Sequence, residues 1–190
     1  MIYLHKKMYS FDIDTLPKTE VFRNTALIDP NTINYIVEDE TVKREHFGYD
    51  FSDKSKRDID YKNKKDIILF MKEVASNFLY MKNYNHNKDE WYMDIIRYNL
   101  DNDLKPINSG LAWHCENDNY SDLITVLIYT RFDSGIINGN LEYIDSYNVK
   151  QTLKIETNTV IIMDGNIQHC PEDPIGTGKR DVIIVSFKKY

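Results

Sequence analysis

Three side chains able to hold a metal stand close together in the sequence His114-Cys115-Glu116, and His169 is the only other histidine after residue 90. On an extended strand, residues two apart share a face, so His114 and Glu116 project together while Cys115 points away. With His169 they make two imidazoles and one carboxylate. That donor set binds iron(II) on one side and leaves three coordination positions open. Taken alone, the His-x-Glu pair fits an ordinary surface ion pair better. Arg180 changes the balance. It lies eleven residues after His169 and opens the apolar run Asp181-Val-Ile-Ile-Val-Ser186. An arginine entering a buried strand needs a partner, because a lone buried cation is costly. Its planar fork suits a carboxylate, held by two charge-assisted hydrogen bonds. No acid follows on the face shared by Arg180, Val182, Ile184 and Ser186, so a bound small dicarboxylate would complete it. The alternative is an Arg180 exposed in the turn Gly176-Thr-Gly-Lys179.

Cys115 and Cys170 each follow one of these histidines, which also invites a zinc site of two cysteines and two histidines. Strand alternation opposes it: if both histidines face inward, their neighbours face outward. The expectation is two free thiols. His5, His46 and His86 sit in polar or terminal contexts and read as surface residues.

The elements that must position these groups are legible in the hydrophobic pattern. After residue 90 eight candidate strands follow one another: 91–100, 111–116, 123–131, 140–144, 150–156, 159–163, 167–170 and 181–188. Turn formers separate them, such as Asn108-Ser-Gly110, Asp133-Ser-Gly135 and Asp164-Gly165. Solid apolar runs such as Leu123-Ile-Thr-Val-Leu-Ile128 suit strands buried on both faces. Before residue 90 the chain reads as helical and irregular. A short helix is expected over 32–37 and a long polar loop over 41–63, with an aromatic cluster at Phe47–Phe51. A helix is expected over 64–81, with Ile67, Met71, Val74, Phe78 and Met81 as its apolar stripe. The fold class expected is mainly β: a double-stranded β-helix, or jelly roll, of eight strands buttressed by N-terminal helices. The whole of 1–190 reads as one domain, with 1–90 as support and 91–190 as core.

Composition narrows the function. With 42% hydrophobic and 28% charged residues the chain has the makeup of a globular protein. Thirty acidic against 24 basic residues give −6, which argues against a nucleic-acid partner. The cluster Lys54-Ser-Lys-Arg57 is interrupted by aspartates and reads as a solvated surface. No apolar run reaches the ~18 residues of a membrane span. Two cysteines and an N-terminus unlike a secretory signal lead to the expectation of a cytoplasmic protein without a membrane partner.

The order of motifs carries a resemblance. His114-x-Glu116, then Asn138-Gly139-Asn140-Leu141-Glu142, then Asp164-Gly165 before His169, then Arg180, resembles the iron(II)/2-oxoglutarate-dependent oxygenases, in the prolyl-4-hydroxylase-like branch. The likeness spans residues 91–188, about half of the chain. It implies His114, Glu116 and His169 as iron ligands and catalytic centre, and Arg180 as the anchor of the distal carboxylate of 2-oxoglutarate. It further implies Tyr129 as a hydrogen-bond partner of that carboxylate and Tyr98 as a tyrosine close to iron and cosubstrate. Asn138-Gly139-Asn140-Leu141 resembles the family's Gly-Gly-x-Leu turn. The family's carboxylate ligand is usually aspartate; Glu116 is one methylene longer. The implied partners are 2-oxoglutarate, O2 and a protein or peptide substrate, prolyl first and lysyl next, with ascorbate as a stimulant. Two other classes fit the same residues: a non-catalytic jelly-roll module with a vestigial metal site, and a cupin-like metalloenzyme using no 2-oxoglutarate. Nothing in the sequence sets an oligomeric state.

Overall fold

Strands buried on both faces form the centre of the molecule, as the apolar runs require. The computed structural model describes residues 19–37, 42–50, 55–56, 64–103, 112–116 and 122–190. Among them are ten strands and two helices: β1 (Thr19–Phe22), α1 (Pro30–Ile33), β2 (Val42–Asp50), β3 (Ser55–Lys56), α2 (Lys65–Met81), β4 (Asn87–Asp103), β5 (Leu123–Phe132), β6 (Leu141–Ile144), β7 (Lys150–Leu153), β8 (Thr159–Asp164), β9 (His169–Pro171) and β10 (Gly176–Lys188). Every strand pairing is antiparallel. A seven-stranded sheet has the order β1-β8-β5-β10-β4-β2-β3, and a three-stranded sheet the order β7-β6-β9.

Strand alternation divides the large sheet into two chemically distinct faces. One face carries Met93, Ile95, Val126, Ile128, Ile162, Ile183 and Val185, packed against Ile68, Met71, Ala75, Phe78 and Leu79 of α2. The other carries Ile96, Tyr98, Leu127, Tyr129, Ile161 and Val182, packed with Leu141, Ile155 and Ile167 on the side of the small sheet. The run Val182-Ile-Ile-Val185 therefore feeds both cores in turn, which is why it shows no polar alternation. A one-residue bulge on β5 interrupts its pairing with β10: Val182 faces Tyr129, Asp181 faces Arg131, and Thr130 is skipped. The skip puts Phe132 in the same core as Tyr129, which unbroken alternation would forbid.

Several expectations are corrected. Where eight strands were expected after residue 90, the described residues form seven, β4 to β10, and three more precede them: β1, and β2 and β3 where a polar loop was expected. Their charged sequences hide the strand period, and β2 reaches the sheet through backbone pairing with β4. The expected strand 111–116 is reduced to a single bridge, His114 with His169. The short helix begins at Pro30, with Asp29 capping the Asn31 N–H, and is one turn long. In α2 the buried stripe is rotated from the one expected: Met71 and Phe78 are buried, but Met81 is 65% exposed. His86 is buried, its Nε2 2.7 Å from Ser76 Oγ and its ring against Phe187. Trp113, a large apolar side chain of the kind that fills cores, is exposed beside Lys150. His5, the side chain of His46 and part of the Phe47–Phe51 cluster lie outside the described residues.

Candidate active site

The pocket lies on the second face, between the large sheet and the end of the small one. It encloses about 480 Å³ including its mouth, and Asp94, Ile96, Tyr98, Leu127, Tyr129, Arg180, Val182 and Ile184 wall it with His114, Glu116 and His169. Every β4, β5 and β10 residue in that set has the strand parity that points away from α2.

His169 begins β9, and His114 pairs with it: each backbone N–H donates to the other's carbonyl, at 3.0 and 2.9 Å. This pairing brings the imidazoles to a centroid separation of 4.3 Å. His114 Nε2 lies 3.7 Å and His169 Nε2 3.6 Å from the same oxygen, Glu116 Oε1. The Nδ1 atoms turn away, 2.7 Å from the Ala112 carbonyl and 3.0 Å from the Ile167 carbonyl. A carbonyl only accepts, so Nδ1 carries the proton and Nε2 presents a lone pair. Two nitrogen lone pairs and a carboxylate oxygen thus converge with no donor between them, all within 4.8 Å of one another. Adjacent ligands of a cation bound at about 2.1 Å sit about 3 Å apart. The trio is slightly wider than that and fits a divalent metal with a small inward movement. The fixed Nδ1–carbonyl bonds are the second layer such sites use to orient imidazoles.

Burial pushes the Glu116 carboxyl up, but its polar neighbours, the His114 and His169 imidazoles and the Tyr92 hydroxyl, outweigh it and hold it well below the usual carboxylate range. The Tyr92 hydroxyl donates to Glu116 Oε2. Burial first, then the Glu116 charge, raises that hydroxyl well above its ordinary value, so it stays a donor. Tyr92 was not singled out in the sequence; among 14 tyrosines only its β4 parity, shared with Tyr98, marks it.

At the other end of the pocket Arg180 is 1% exposed. Its Cζ is 5.2 Å from the Tyr98 ring centroid and 5.3 Å from that of Tyr129. The rings stabilise the cation, yet Arg180 Nε is buried with no hydrogen-bond acceptor. Among the described residues no carboxylate pairs with it. Burial pushes the Tyr129 hydroxyl up, and the neighbouring Arg180 charge pulls against it. Gly139 lies beside the arginine at φ 105°, a conformation that strains other residues, and an added Cβ would sit tight against Pro174 Cβ at 3.3 Å. All six residues expected at the site therefore line one pocket. Cys115 and Cys170 are half-buried thiols that form no disulfide and lie outside the metal-capable cluster, so the Cys2His2 arrangement does not form among the described residues.

No protein-family model and no curated protein matches the sequence. Solved structures match by shape. An oxidoreductase of the 2OG-Fe(II) oxygenase family from Burkholderia pseudomallei superposes with a TM-score of 0.61 at 13% identity, over 90% of this chain and 84% of that one. A prolyl hydroxylase from Trichoplax adhaerens, in complex with a hypoxia-inducible-factor degradation-domain peptide, gives 0.56 at 12%, over 90% and 83%. HygX from Streptomyces hygroscopicus, with nickel and 2-oxoglutarate bound, gives 0.51 at 9%, over 99% and 88%. Two antiparallel sheets, a helix packed on the outer face and a His-Glu-His cluster within the pocket thus give this chain the fold of the 2-oxoglutarate/iron(II) oxygenases, prolyl hydroxylases among them.

Proposed function

We propose that the protein is an iron(II)- and 2-oxoglutarate-dependent dioxygenase that hydroxylates a C–H bond of a protein or peptide side chain, prolyl first and lysyl next. One observation carries the reading. A metal-ready trio and a buried arginine with an unsatisfied donor share a pocket, and 2-oxoglutarate supplies both a metal-chelating end and a carboxylate for the arginine. His114, Glu116 and His169 would hold the iron, which when bound supplies the O2 chemistry that converts 2-oxoglutarate to succinate and CO2 and oxidises the substrate. Arg180 would hold the distal carboxylate, with Tyr98 and Tyr129 beside it. Ile96, Leu127, Val182 and Ile184 form apolar walls that exclude water and strengthen that ion pair. The solved structures of the same fold that carry 2-oxoglutarate or a peptide support the choice of cosubstrate and substrate class.

The test is succinate formation from 2-oxoglutarate with iron(II) and ascorbate, with and without candidate peptides. Turnover lost in His169→Ala and in Arg180→Met supports the enzyme. Metal binding without succinate from any substrate would leave the non-catalytic module. Substrate oxidation that proceeds without added 2-oxoglutarate and is unaffected by Arg180→Met would favour a metalloenzyme that uses no 2-oxoglutarate.

A further inference from the structure

We propose that Tyr92 is a positioning residue that lets a glutamate serve as the carboxylate ligand, by holding one oxygen so that the other alone faces the imidazoles. The inference rests on the metal reading of the site given above. Glu116 has an extra torsion to fix, and its backbone gives little help. Of residues 112–116 only His114 pairs with a strand, so Glu116 is not held in a ladder. Its carboxylate must be anchored from elsewhere.

The anchor is a row of hydroxyls running across the large sheet. Thr125, Ser186 and Tyr92 are direct cross-strand partners on β5, β10 and β4. Thr125 Oγ1 and Ser186 Oγ are 2.8 Å apart in a buried contact, and Ser186 hydrogen-bonds the Tyr92 hydroxyl. Tyr92 in turn meets Glu116 Oε2, while Oε1 lies 3.6 and 3.7 Å from the imidazole nitrogens. The direction of the bonds follows from the end of the row. An ionised carboxylate only accepts, so Tyr92 donates to it, Ser186 donates to Tyr92, and Thr125 donates to Ser186. Bonds aligned head to tail polarise one another toward the carboxylate. The row ends on a three-strand ladder at the centre of the sheet, a rigid support for a ligand borne by an irregular segment.

The measurement is Mn(II) affinity of the full chain, without turnover, for wild type, Tyr92→Phe, Glu116→Asp and the double variant, with thermal unfolding as a fold control. Tyr92→Phe is expected to weaken Mn(II) by about tenfold or more, the scale of lost second-layer support. In the Glu116→Asp background the same change is expected to alter affinity less than about twofold, because the shorter arm draws the carboxylate away from the hydroxyl. Equal losses in both backgrounds, or a Tyr92→Phe protein that binds like wild type, overturn the proposal. Ser186→Ala removes the donor behind Tyr92 and is expected to cost about two- to threefold. It carries the test if Tyr92→Phe is not recovered folded, and an unchanged affinity in it then counts against the row. A wild-type chain that binds no Mn(II) sinks the metal reading as a whole, whereas binding that ignores these substitutions sinks the positioning role alone.

Discussion

Arg97 and Arg180 are near neighbours across the β4–β10 ladder, where Arg97 faces Asp181 and Arg180 faces Tyr98. Each is 1% exposed, and strand parity sends them to opposite faces of the sheet. On the helix side Arg97 is fully answered. Its Nε and Nη2 each donate to an Asp181 oxygen at 2.8 Å, and Nη2 also reaches Asn34 Oδ1 at 2.8 Å. On the pocket side Arg180 lies between two tyrosine rings with its Nε unanswered. The same side chain, equally buried, is a structural fastener on one face and a cation with an unanswered donor on the other. Burial of a charge does not distinguish a site from a strut; the state of its hydrogen-bond partners does.

The largest effect expected from this contrast is on stability. Arg97→Met strips the buried Asp181 of its guanidinium partner, at a cost of about 3–5 kcal/mol. Denaturant unfolding checks it, and the loss should be insensitive to 2-oxoglutarate. Arg180→Met should behave in the opposite way. Stability stays within about 1 kcal/mol of wild type, since no carboxylate is stranded. On the proposed reading 2-oxoglutarate binding to the Mn(II)-loaded protein falls about 100-fold, the worth of a charge-assisted fork in a dry pocket. If Arg180→Met destabilises as much as Arg97→Met, the two faces do not differ as described. The smallest effect concerns Asp133, which accepts from Arg131 Nε at 2.9 Å and from the Lys179 N–H at 2.9 Å, next to Arg180. Burial raises its carboxyl, but Arg131 and Lys179 prevail and lower it below the ordinary 3.8. A lowered folded-state value means stability present above the unfolded value and lost as pH falls through the folded one. Asp133→Asn should therefore cost about 1 kcal/mol at neutral pH, and the gap to wild type should close as pH drops below 3.8.

Much of the pocket face was readable from local pattern. The run 123–131 is a strand to within one residue, and the run 181–188 is the C-terminal part of a strand that begins five residues earlier, at Gly176. Parity along β10 alone assigns Arg180, Val182 and Ile184 to one side. Polar strands toward the rim of the sheet were not readable: β2 (Val42–Asp50) has no apolar alternation and exists because β4 offers it backbone partners. His86 looked like a surface residue because its sequence neighbours are polar. It is buried because Ser76, ten residues away on α2, satisfies its Nε2. Trp113 went the other way, since the segment around it joins the sheet through His114 alone.

The sequence by itself determined which side chains share a strand face, because that depends only on the two-residue period of an extended chain. It also determined that a buried arginine at position 180 would find no acid on its own face of the strand. Only the tertiary structure decided that His114 and His169 lie side by side, that Glu116 meets both, and that Tyr92 holds it from behind. Those distances depend on how strands remote in sequence are ordered and registered in two sheets, and no local pattern encodes that register.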